Sequence, residues 1–192
     1  MKIVIFGDSI RLGEGGYGPY VAERLVKEGH EVFQPDDNCR FAKYTLRLLF
    51  DYREQIKDAN IVHFNIGHWD LCTLPPETEP FSTIEEYKNN LRRVAKIFLG
   101  ITPHVIFATT TPVRKEHPYQ NNEIIQKYNK AAIEVMQELG IKINDMFPLL
   151  LPDLDRYIRG DNWDYIHPTE AGRKILIEQV YKVIEDEIKT IQ

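Results

Sequence analysis

Apolar residues in this chain follow two alternating rhythms. Continuous runs at Ile3-Val4-Ile5-Phe6, Ile61-Val62-His63-Phe64-Asn65-Ile66 and Val105-Ile106-Phe107-Ala108 end at Gly7, Gly67 and Thr109, the pattern of strands buried on both faces of a parallel sheet. Glu31-Val32-Phe33 and Ile141-Lys142-Ile143-Asn144 predict two further strands, the first edge-like. Between them the period lengthens. Tyr20, Val21, Leu25 and Val26 predict a helix over 19–27, with Gly29 where a C-terminal cap belongs. Leu46, Leu48, Leu49, Phe50 and Ile56 predict helix over 41–56, broken or bent near Asp51. After a loop with Pro75, Pro76 and Pro80, a helix starts at Ser82 or Thr83 and runs through Leu99, with Glu85 and Glu86 in its first turn. Two more helices are predicted, over 121–139, closing at Gly140, and over 169–188, packing through Ile175, Leu176, Val180, Val183 and Ile184. Strands alternating with helices of this length predict an α/β fold, a parallel five-stranded sheet in a three-layer α/β/α arrangement.

Ligands of such open sheets bind beyond the carboxyl ends of the strands, where strand order reverses. Polar clusters stand at those exits. Ser9 follows the first strand, Asn38-Cys39-Arg40 the second, Gly67-His68-Trp69-Asp70 the third and Thr109 to Arg114 the fourth. Core packing accounts for the strands but not for polar residues gathered after each one.

Composition narrows the setting. A chain of 192 residues, 43% hydrophobic, suffices for a single domain spanning residues 1–192. A net charge of -5 without a basic stripe argues against a nucleic-acid partner. No apolar run approaches the roughly 20 residues that span a bilayer, and Met1-Lys2 leads straight into a strand, so a cytoplasmic protein without membrane attachment is expected, with a removed leader left open. Cys39 and Cys72 are too few for a disulfide framework and lack zinc-ligand spacing, so both are expected as free thiols.

Ser9 closes the run Ile5-Phe6-Gly7-Asp8-Ser9, and far downstream Asp164-Tyr165-Ile166-His167-Pro168 precedes the last predicted helix. These are the parts of a relay. A hydroxyl is a weak nucleophile at neutral pH, so a neutral imidazole must take its proton while a carboxylate fixes the ring's tautomer. An aspartate three residues before a histidine can meet Nδ1 and leave Nε2 outward. Pro168 fits a first helical position, which would set His167 near the positive end of that helix, a field that disfavours imidazolium. His63 and His117 suit a strand residue and a solvated loop residue.

In Gly7-Asp8-Ser9, Gly67-His68-Trp69-Asp70 and Asp164-Tyr165-Ile166-His167 the chain resembles the SGNH hydrolases, the GDSL-type esterase superfamily. The order and spacing of these blocks span nearly its whole length. The resemblance implies a flavodoxin-like fold and an ester hydrolase, often removing acetyl or other short acyl groups from carbohydrates, with Ser9 as nucleophile, His167 as base and Asp164 as orienter. It implies no metal or organic cofactor. The family's third block usually reads Gly-x-Asn-Asp, with the asparagine amide donating to the oxyanion, whereas Trp69 stands there in this chain; Asn65, two residues before Gly67, is preferred over Trp69 as the replacement. Cys39 falls where a second-block glycine donates its N–H, and any non-proline residue has that proton to give. The expected oxyanion donors are therefore the N–H of Ser9, the N–H of Cys39 and the amide of Asn65. Arg40, His68, Trp69, Asp70 and Arg114 are the candidates for shaping an acyl or sugar pocket.

Three competing functions remain. Gly13-Glu14-Gly15-Gly16-Tyr17-Gly18 fits Gly-x-Gly-x-x-Gly with Asp36 or Asp37 about 20 residues on, as a dinucleotide-binding oxidoreductase would have, but Gly13 comes too late after the strand. The same fold without catalysis would be a carbohydrate-binding protein. The same serine relay would also serve an acyltransferase.

Overall fold

The computed structural model describes residues 1–191. Five strands, β1 (Lys2–Gly7), β2 (Glu31–Phe33), β3 (Ile61–Asn65), β4 (Val105–Ala108) and β5 (Lys142–Asn144), form one sheet in the order β2-β1-β3-β4-β5. Every pairing is parallel, with Ile3 opposite Ile61 and Gly7 opposite Asn65 across the β1–β3 boundary. The chain leaves β1 toward β2 on one side and returns to β3 on the other, so strand order reverses between β1 and β3. That boundary is where such sheets open a crevice.

The helices are α1 (Gly18–Lys27), α2 (Ala42–Asp51), α3 (Arg53–Ile56), α4 (Ile84–Leu99), α5 (Asn122–Glu138), α6 (Phe147–Leu150), α7 (Leu154–Tyr157) and α8 (Glu170–Ile191), with a 3₁₀ turn at Leu151–Asp153 between α6 and α7. The period-two alternation of the strands divides them into layers. Val4, Phe6, Val62, Phe64 and Phe107 face α2, α4 and α5, where Phe98 meets Phe6 and Phe64 with ring centroids 5.5 and 5.1 Å apart. Ile3, Ile5, Ile61 and Ile106 face the other way, onto Val21 and Leu25 of α1 and Leu176, Val180 and Ile184 of α8. The result is the three-layer α/β/α fold that the alternation predicts.

Local chemistry sets the ends of the helices. Thr83 caps α4 in a reciprocal capping box with Glu86, whose carboxylate accepts from the Thr83 N–H at 2.9 Å. Asn121 caps α5 by accepting from the N–H of Ile124 at 3.0 Å. The predicted break near Asp51 is real, with Tyr52 standing between α2 and α3. Pro168 departs from expectation: it pairs with Ile158 in an antiparallel bridge, and Thr169 caps α8 by accepting from the N–H of Gly172 at 3.2 Å. His167 thus lies before the cap rather than beside the first turn.

Candidate active site

The turn after β1 is braced from beneath. A Cβ on Gly7 would come within 2.3 Å of Asn65 Oδ1 and 2.7 Å of Arg11 Cβ, so only glycine fits there. Asp8 accepts from the N–H of Ile10 at 3.0 Å and from Asn65 Nδ2 at 2.9 Å, while Tyr17 donates to Asn65 Oδ1 at 2.5 Å. Arg11, buried to 2% exposure, donates to the carbonyls of Pro35 and Asp37 at 2.9 and 2.8 Å. Ser9 is thereby fixed at the sheet's edge, and its own N–H has no partner among the described residues.

The far end of the chain is brought to meet it. Ser9 Oγ lies 2.9 Å from His167 Nε2, and His167 Nδ1 lies 3.0 and 3.1 Å from the two oxygens of Asp164. Asp164 also accepts from the N–H groups of His167 at 3.0 Å and Ile166 at 3.3 Å. Burial pushes the Asp164 carboxyl up, but these donors and the imidazole outweigh it and hold its pKa below the usual value. Asn162 and Trp163, at φ 52° and 63°, turn the chain between Asp161 and Asp164 with two left-handed residues, the pattern of a tight I′ turn. The N–H of Arg159 donates to the carbonyl of His167 at 2.9 Å, and that of Arg114 to Tyr165 at 3.0 Å. These bonds hold the loop against β4's exit, so the relay geometry is supported by backbone rather than by side chains alone.

Ser9 and His167 open onto a cavity of about 200 Å³. Trp69 and Tyr119 give it aromatic walls, Cys72, Leu74 and Ile166 an apolar one, and His68, His117 and Gln120 complete it. His68 is saturated: Gln120 donates from Nε2 to its carbonyl at 3.0 Å and presents Oε1 to its Nδ1 at 2.9 Å, while Thr111 Oγ1 lies 3.0 Å from Nε2. Burial pushes the pKa of His68 down, so the ring is neutral and locked. His117 is a cavity wall rather than a solvated loop residue, and burial pushes its pKa down to about 4. Its place lies in a loop without hydrophobic period, where only the aromatic company of Tyr119 hinted at a pocket. His63 is a buried strand residue, pushed down to about 3 by burial.

Other predicted site residues lie elsewhere, for identifiable reasons. Asn65 does not reach the rim, because its amide is engaged by Asp8 and Tyr17 under the turn that holds Ser9. The N–H of Cys39 is donated to the carbonyl of Gly7 at 3.1 Å, and its buried thiol accepts from the N–H of Gly7 at 3.2 Å. Of the two residues considered for the missing asparagine, Trp69 is the one that faces the cavity. Asp70 is fully buried and accepts from the N–H of Ala42 at 2.9 Å and the hydroxyl of Ser82 at 2.7 Å, which ties α2 to the start of α4. Arg40 is exposed at φ 51°, its N–H donated to Asn38 Oδ1 at 2.8 Å. Arg114 pairs with Asp155 at 2.6 Å and is absent from the cavity's lining. The glycine-rich loop forms no phosphate cradle: a Cβ on Gly16 would lie 2.3 Å from the carbonyl of Arg11, and one on Gly18 2.2 Å from Gln34. Cys39 and Cys72 are free thiols.

Residues 5–175 match the model of the GDSL-like lipase/acylhydrolase family. The chain belongs to that family. Its relatives among GDSL-like proteins include a GDSL esterase/lipase of Arabidopsis thaliana, 28% identical over 97% of this chain and 86% of the relative. An isoamyl acetate-hydrolyzing esterase 1 homolog of Homo sapiens is 22% identical over 99% of this chain and 84% of its own length. In structure, a lipase/acylhydrolase from Enterococcus faecalis superposes with a TM-score of 0.76 at 20% identity, covering 96% of this chain and 95% of that one. A catalytic mutant of an acetylxylan esterase from Geobacillus stearothermophilus gives 0.75 at 19% identity, over 94% and 92%. As a GDSL-family protein the chain is an ester-bond hydrolase, built on the SGNH-type α/β/α fold. No helix among the described residues is long and apolar enough to cross a membrane.

Proposed function

We propose that this hydrolase cleaves short acyl esters, acetyl above all, from a carbohydrate or a small alcohol through a Ser9–His167–Asp164 relay. The observation that carries the reading is the unbroken chain of contacts, 2.9 Å from Ser9 Oγ to His167 Nε2 and 3.0 Å from His167 Nδ1 to Asp164. Asp164, ionised at neutral pH, keeps the Nδ1 proton and leaves Nε2 as acceptor. As Ser9 Oγ bonds to the carbonyl carbon, His167 takes the hydroxyl proton and then gives it to the departing alcohol oxygen. Water, deprotonated by the same nitrogen, attacks the acyl-serine; the carboxylic acid leaves and the proton returns to Ser9.

Charge on the tetrahedral oxygen needs donors. The unpartnered N–H of Ser9 supplies one. Trp69 supplies the second through its indole N–H, which has no partner among the described residues and belongs to a wall of the same cavity. Asn65 and Cys39 act instead by bracing the turn beneath the nucleophile.

Size supports short acyl groups, because about 200 Å³ falls below the roughly 300–1,000 Å³ of pockets for drug-sized ligands. The aromatic faces of Trp69 and Tyr119 suit a sugar ring, and among similar proteins one is named for acetylxylan and another for isoamyl acetate. A panel of nitrophenyl acetate, butyrate and octanoate with acetylated sugars tests the reading. The expected order is acetate over butyrate over octanoate, with Ser9→Ala slower by at least ~10³-fold. Equal turnover by Ser9→Ala defeats the relay; a preference for octanoate defeats the short-acyl assignment.

A further inference from the structure

Three imidazoles border the cavity, and they differ in what they leave free. His167 is committed to Ser9 and Asp164, and both ring nitrogens of His68 are held by Thr111 and Gln120. His117 is different. Its Nδ1 accepts from the backbone N–H of Tyr119 at 3.2 Å. A backbone N–H can only donate, so Nδ1 carries no proton and the neutral ring must carry its hydrogen on Nε2. That N–H has no partner among the described residues, although the ring lines the cavity. With its pKa pushed down to about 4, the ring holds this tautomer at neutral pH.

Its position indicates what it would meet. His117 and His167 line the same cavity of about 200 Å³, so the ring borders the space onto which the base's nitrogen opens. His167 delivers its proton to the leaving alcohol, so the alcohol departs through the cavity that both rings line. We infer that the Nε2–H of His117 donates a hydrogen bond to a hydroxyl oxygen of the departing alcohol, making it a specificity residue that selects esters of polyols and sugars over esters of plain alkyl alcohols. The inference rests on the reading of His167 as base. Its physical basis is asymmetry: a donor enclosed against an alkyl chain loses its water without replacement, whereas a hydroxyl restores the bond.

The test compares 2-hydroxyethyl acetate with propyl acetate, which differ by a hydroxyl in place of a methyl group, each rate being divided by the ester's hydrolysis rate in hydroxide. Wild type should favour the hydroxyethyl ester in kcat/KM by about 3- to 10-fold. His117→Asn keeps an acceptor for the Tyr119 N–H and withdraws the donor from the cavity; the ratio should fall toward unity. His117→Gln, which reaches as far as Nε2, should restore part of it. A wild-type ratio near unity, a ratio unchanged in His117→Asn, or a parallel loss on both esters overturns the inference, the last by assigning His117 to structure. Ser9→Ala, run on both esters, separates the two readings: retained turnover there defeats the serine relay, whereas an altered ratio with Ser9-dependent turnover bears on His117 alone.

Discussion

Ser9 owes the placement of its half-buried hydroxyl to neighbours beneath the cavity. Under the turn, Tyr17 donates to Asn65 and Asn65 to Asp8 in a buried hydrogen-bonded chain, with Arg11 held beside it by the carbonyls of Pro35 and Asp37, and the low dielectric there strengthens each bond. At this scale the sequence was legible where chemistry is local. Asp164 and His167 are three residues apart, so their meeting needs one turn of chain. It was illegible where a donor's orientation depends on a neighbouring strand: Asn65 pairs in register with Gly7, which turns its amide under the turn after β1, and the N–H of Cys39 is consumed by the carbonyl of Gly7. Trp69, which lines the cavity, is the residue we propose as donor. Trp69→Phe keeps an aromatic face and removes the indole N–H; kcat for nitrophenyl acetate should fall by about 10²-fold with KM little changed. An unchanged kcat would remove Trp69 from the oxyanion site.

Elements whose signals lie in their own residues were recovered. Helix α4 has its capping box at Thr83 and Glu86 and buries Tyr87, Leu91, Val94 and Phe98 at helical spacing. The four-residue helices α6 and α7 went unpredicted, since each is about one turn long and shows no period. Asp70 shows how an element can be tied by a residue far from it in sequence. Its carboxyl receives the Ala42 N–H at the start of α2, and burial raises its pKa to about 7. The folded state therefore holds the Asp70 proton more tightly than the unfolded chain does. Its contribution to stability is complete below the ordinary value of 3.8 and is lost as pH rises through about 7. Asp70→Asn can still accept from Ala42 and can donate to Ser82. Relative to wild type, this variant should gain unfolding free energy in urea as pH rises across that window; parallel pH profiles would show that the carboxyl does not titrate there.

Over the whole molecule, the sheet order β2-β1-β3-β4-β5 does what neither residues nor helices can do alone. Placing β1 beside β3 sets Ser9 and Trp69 on neighbouring strand exits, and packing α8 against α1 on the opposite face from α4 returns residues 164–167 to the same rim. The alternation of strands and helices made the layers legible, and the polar residues that meet at the rim could be picked out because such a sheet gathers its crevice loops at the carboxyl ends of its strands. The side walls, His117 and Tyr119 among them, were hidden in loops that obey no period. The most direct test of the relay is intact-mass measurement after exposure to an organophosphonate ester. One covalent adduct per wild-type chain is expected, none on Ser9→Ala, and greatly slowed labelling on His167→Ala. Labelling of Ser9→Ala at the wild-type rate, or an adduct mapped to another residue, would contradict the account.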